Sequence, residues 1–223
     1  MKMTFTNIIL NSFALIMVAF VALAFIEPSI SFGSTSIISQ NVSTELAIVT
    51  PATNISLSPS IDVSVGGSAS GQTQVVVATN DHIGYSMTIQ ASSSLGMIGN
   101  ASSTNYIPAY VSSTPGVPDY NFNVPANRAY FGYTVEASTT SDLASAFKDN
   151  AGVCGNALGS DTADKCWLAA TTSAYTVINR TSETLLSGST TTLKFLVVIN
   201  ANPVPDVMND TYVATTTLTA TAN

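Results

Sequence analysis

The feature that most constrains this sequence is a strict alternation of side chains with a period of two. Tyr85, Met87, Ile89 and Ala91 fall on one side of an extended chain, and Ser86, Thr88 and Gln90 fall on the other. A helix would scatter these residues around its axis; a strand gathers them into one buried face and one wet face. The period returns near the end of the chain, where Tyr212, Ala214, Leu218 and Ala220 oppose Thr211, Thr215, Thr217, Thr219 and Thr221. Threonine suits such a face because its branched Cβ favours extended backbone while its hydroxyl stays hydrated.

From Thr192 to Asn200, Leu193, Phe195, Val197 and Ile199 share one face while Leu196 and Val198 thicken the other. A run apolar on both faces predicts a central strand. Ile61, Val63 and Val65, a Gly-rich loop over Gly66–Gly71, and Gln74–Val77 predict a hairpin. Tyr130–Glu136 and Ala174–Ile178 add two more strands, and a short one around Tyr106–Val111 interrupts an excursion over residues 91–125, in which Pro108, Pro115, Pro118 and Pro125 block regular pairing. One stretch reads as a helix. Ser141–Asn150 offers an N-cap, an acidic first turn, apolar Leu143, Ala146 and Phe147 and a basic last turn. The sum is about eight short strands with turn signals between them, which predicts an all-β, antiparallel, two-sheet Ig-like sandwich with one short helix in a crossover.

Residues 1–33 read as a secretory signal, with Lys2 before an apolar run from Ile8 to Ile26 and small residues after it. Cleavage after Ser31 and cleavage after Gly33 both satisfy the small-x-small rule, and an uncleaved membrane anchor is the alternative, because the run approaches spanning length. Residues 34–44 follow as a polar, flexible arm, and residues 45–223 as the β domain. The chain is therefore expected outside the cell or on its surface. Only 9% of its residues are charged, whereas Ser and Thr together supply 58 positions, so hydroxyls must keep the exterior wet. A net charge of -7 with six basic residues excludes nucleic-acid binding, which needs clustered Lys and Arg.

Cys154 and Cys166 are the only cysteines, and export oxidises such a pair. A disulfide is predicted, with no redox role. Asp81-His82 invites a catalytic reading, but it stands in an Asn80–Gly84 turn between strands, and there is no Gly-x-Ser-x-Gly elbow. Asp161 with Asp164, and Asp206 with Asp210, are calcium candidates that match no calcium-loop spacing and read as solvated loop acids. No catalytic residue, metal ligand or cofactor follows, and the chain is expected not to be an enzyme. Tyr106, Tyr110, Tyr120 and Phe122, with Tyr130, are candidate contact aromatics around the Pro-rich excursion. Ile38, Val42, Leu46 and Ile48 share one parity and are candidate strand-donor positions, as a segment adding to a neighbour's sheet requires. Asn41, Asn54, Asn100, Asn179 and Asn209 begin glycosylation sequons.

The phrase from Val77 to Ile89, Phe131-Gly132-Tyr133 and the closing Asp210–Thr221 together resemble bacterial secreted cell-surface β-sandwich proteins, of the WxL-like or pilin-like Ig-fold group. Trp167 is followed directly by Leu168, so the Trp-x-Leu motif of the first group is absent. The expected function is that of a non-enzymatic, adhesin-like or envelope-structural surface protein. The alternative is a pilus-like filament subunit assembling by strand donation from the arm, and a secreted hydrolase ranks last. The partners implied are an envelope or surface protein, a glycan or other copies of the chain, and a membrane only through the N-terminal segment if it is retained.

Overall fold

The computed structural model describes Ile37 and residues 39–223. The predicted signal and donor position Ile38 lie outside the described residues. Ser43–Asn223 forms one compact unit. It contains twelve strands: β1 (Leu46–Thr50), β2 (Gly67–Thr79), β3 (Tyr85–Ala91), β4 (Gly96–Gly99), β5 (Tyr106–Pro108), β6 (Ala129–Ala137), β7 (Asp149–Asn150), β8 (Val153–Cys154), β9 (Tyr175–Arg180), β10 (Ser189–Ile199), β11 (Tyr212–Val213) and β12 (Thr216–Ala222).

All pairings between these strands are antiparallel. One sheet has the order β1-β2-β10-β6 and the other β12-β3-β9, with a smaller sheet β11-β4-β5 and the ribbon β7-β8 beside them. The period-two faces explain how the two main sheets meet. Val75, Val77, Tyr133 and Leu193 from the first sheet and Tyr85, Met87 and Val177 from the second are fully buried in one shared core. Each such side chain contributes about 1.5–3 kcal/mol by leaving water. β10 is the central strand its sequence predicts, with β2 on one side and β6 on the other. The threonines of β12 are mostly exposed, while Leu218 and Ala220 turn inward.

The fold is the predicted all-β sandwich, with more and shorter strands than the sequence suggests. Two local expectations are corrected. Ile61–Val65 is a turn rather than a strand: Asp62 accepts hydrogen bonds on its carboxylate from Ser64 N (2.9 Å) and Oγ (2.8 Å), and its carbonyl accepts from Gly66 N at 2.8 Å. A short polar side chain that satisfies local N–H groups competes with the ladder. The Gly-rich stretch after it is instead the first part of β2, recruited by β10 through Gly67↔Ile199 and Gly71↔Phe195. Glycine is required at Gly71 because Ile55 and Leu57 lie where a Cβ would be.

The predicted helix at Ser141–Asn150 is replaced by two 3-10 turns, Thr140–Asp142 and Ser145–Phe147. Tertiary partners claim the groups that a helix would use. Leu143 is extended and bridges Ile178, and Ala144 N donates to Val177 O at 3.0 Å. Asp142, expected as the acid of a helix's first turn, is buried; its carboxylate accepts from Arg180 Nη1 at 2.6 Å and from Ser189 Oγ at 2.9 Å. These turns open a crossover that carries the chain from β6 in the first sheet to β9 in the second, and the predicted Cys154–Cys166 disulfide closes a loop within it.

Candidate functional site

The two sides of the sandwich are built differently, and the candidate site is the open one. β1 and β12 are outer strands, each with a single neighbour among the described residues. Between them runs a groove of about 620 Å³ whose floor is reached by Val75, Leu193 and Phe195 and whose walls include Ile48, Leu57 and Leu218. No charged side chain lines it. Local sequence explains why the first sheet stops short here. β1 pairs with β2 only as far as Thr50↔Val76, with a shift of register after Ile48. Pro51 follows and has no N–H to continue the ladder. The chain then crosses β2 through side chains, Thr53 N donating to Thr73 Oγ1 at 2.9 Å, until the bridge Ser58↔Ser70.

Two of the four donor positions are used at home: Leu46 pairs with Thr79 and Ile48 with Val77 of the same chain. Val42 is exposed. Tyr110 and Phe122 are stacked at 4.4 Å, Tyr130 meets Tyr110 edge-on at 6.0 Å, and Trp167 meets Phe122 at 5.3 Å. Tyr110 is buried in this cluster and donates its hydroxyl to Asp119 at 2.8 Å. Burial and then the Asp119 carboxylate push that phenol up to about 12. Tyr120 is half-buried beneath the Lys165 ammonium, 4.6 Å from its ring centre, and Tyr106 lies half-buried in β5.

The acids act as local fasteners. Asp81 Oδ1 accepts from Ile83 N at 3.0 Å within a turn closed by Gly84 at φ 80°, and His82 is exposed beside it. Glu136 and Asp164 hold Lys194 at 2.7 and 3.1 Å. Burial works against the charge of Lys194, but hydrogen bonds to both carboxylates outweigh it and raise its pKa. Asp161 receives Ala137 N at 2.8 Å, while Asp210 receives Thr211 N at 2.7 Å; Asp206 is exposed. Among the described residues no three His, Cys, Asp or Glu side chains gather as a metal would need. Sequence reading missed the groove and the pairing of buried Asp142 with half-buried Arg180. Both arise from residues far apart in the chain, and no spacing announces them.

No protein-family model matches the chain, and no curated protein matches it. The WxL-like resemblance therefore has no family match behind it. Two chains of solved structures are similar. One comes from a chaperone-usher pilus, at 13% identity, covering 88% of this chain and 100% of that one, with a TM-score of 0.26. A likeness of that size carries no argument. What the chain itself defines is a disulfide-stapled β-sandwich with one open side.

Proposed function

We propose that this chain is an exported, non-enzymatic structural protein of the cell surface, and that it joins copies of itself by strand addition at the open side. The observation that carries this reading is the uncharged groove between the outer edges of β1 and β12. A bare edge presents unpaired N–H and C=O groups, and an incoming strand satisfies them while its alternate side chains fill the apolar space. The arm before β1 supplies the alternation through Ile38 and Val42, since Leu46 and Ile48 are already paired in their own sheet. Export is supported by the formed disulfide, which needs an oxidising compartment, and by faces kept wet with threonine rather than charge.

The test is the size of the purified exported protein by analytical ultracentrifugation and electron microscopy. Multi-copy assemblies are expected. The double variant Ile38→Asp/Val42→Asp and the groove-filling Ala214→Trp are both expected to yield folded monomers. A wild-type protein that is monomeric at high concentration overturns the reading, and so do assemblies indifferent to both changes.

A further inference from the structure

The loop between β9 and β10 ends in a turn that holds two leucines out in water: Leu185 is 80% and Leu186 101% exposed. Gly188 N closes that turn on Leu185 O at 2.8 Å. The loop is fastened at its base. Thr184 N donates to Thr79 O at 3.0 Å and Thr184 Oγ1 accepts from Thr79 N at 2.9 Å. Arg180, held by the buried Asp142, also donates to the carbonyls of Ser182 and Glu183. A turn anchored by an ion pair with one buried partner yet tipped with bare leucines has the form of a pre-ordered contact, since little conformational entropy remains to be lost when it docks.

Its position says what it meets. Thr79 Oγ1 donates to Glu45 O at 2.8 Å, so the leucine turn and the start of β1 are tied to the same residue. Ser43, where the compact unit begins, lies at this end too, its carbonyl accepting from Asn80 Nδ2 at 3.0 Å. Five residues of fully extended chain, the sequence distance from Ile38 to Ser43, span at most roughly 17 Å. A neighbour that receives the arm is thus drawn against the leucine turn. The neighbour's groove mouth is apolar too, with Val213 at 45% exposure and Met97 and Tyr212 beside it. One copy cannot satisfy both features by itself. The end of β12 is tied to the turn's end of the domain through Asn223 N to Gly84 O, whereas the mouth lies at its beginning, and the strand between them spans about 23 Å.

We infer that the Leu185–Leu186 turn is a second contact of the assembly, docking on the groove mouth of another copy around Val213 and Met97. The contact is heterologous, head to tail, and so propagates rather than closing as a dimer. It rests on the strand-addition reading above, and the experiment separates the two. In the full-length protein, Leu185→Ser/Leu186→Ser is expected to weaken assembly about a hundredfold or more, the effect of exposing two leucines that were covered. Mixing Leu186→Cys with Val213→Cys protein is expected to trap a disulfide between unlike copies. Normal assembly by the serine variant, with no mixed disulfide, overturns this contact and leaves strand addition standing. A monomeric wild type overturns both.

Discussion

The two sides of the sandwich answer the same problem in opposite ways. On the β6–β9 side the chain seals itself. Tyr133 and Leu168 exchange backbone hydrogen bonds of 2.8 and 2.9 Å along the edge of β6, Leu143 and Ala144 meet the edge of β9, and the Cys154–Cys166 bond ties the crossover that supplies these caps. Phe147 wedges between Tyr133 and Tyr175, with ring centres 5.7 and 5.9 Å away. On the β1–β12 side the segment 51–58 meets only the edge of β2, where Ser58 and Ser70 exchange backbone hydrogen bonds of 3.1 and 3.0 Å; the outer edges of β1 and β12 stay unpaired among the described residues, and a groove of about 620 Å³ reaches the core. Bare edges invite unwanted pairing, and proteins cover them when no partner is intended. The chain spends 37 residues of crossover on one side and leaves the outer edges of β1 and β12 unpaired among the described residues, and this asymmetry is what the proposed strand addition would use.

The largest expected effect comes from removing the wedge on the sealed side. Phe147 is 2% exposed, and Phe147→Ala is expected to cost about 3–5 kcal/mol through lost burial and a residual cavity. Denaturant unfolding of purified protein measures it, and a loss below 1 kcal/mol would show that the sealed side is packed more loosely than its geometry implies. Next is the staple. Replacing both Cys154 and Cys166 by serine is expected to cost about 3 kcal/mol on the loop-entropy account. Because the staple lies away from the groove, that variant should assemble as the wild type does once folded. Loss of assembly in a folded variant would break the separation between the two sides.

How much of this was legible follows the same division. Alternation at Tyr85–Ala91 and the two-faced run at Leu193–Ile199 announce buried strands because each pattern is local and tied to a period of two. The disulfide was legible from a lone pair of cysteines in a chain whose first residues read as a secretory signal. The Ser141–Asn150 segment misled because capping signals describe an isolated helix, while Leu143, Ala144 and Asp142 are claimed by β9, Arg180 and Ser189. Gly67–Gly71 misled in the other direction: glycine has little preference of its own, and β10 imposes the strand. The groove was hidden for a further reason, since an empty space is set by where several elements stop, and only Pro51 hints at one of those stops.

The smallest effect tests the polar rim of the sealed side. Burial raises the pKa of Asp161; the Ala137 N–H opposes this, and the carboxylates of Glu136 and Asp149 add to it. A folded-state pKa above the unfolded value means that folding favours the protonated acid. The associated stability is full below the ordinary carboxylate value of 3.8 and is lost as pH rises through the folded-state value. At neutral pH the ionised Asp161 is therefore a cost, and Asp161→Asn removes the charge while keeping an oxygen for Ala137 N–H. The variant is expected to be slightly more stable than wild type at pH 7, the gain being reduced by solvent screening, with the difference gone below pH 4. Thermal melts across that range measure both limits. A variant less stable at pH 7 would mean that the negative charge itself is wanted near the staple, and the sealed side would then hold a cation-dependent contact in place of a purely internal seam.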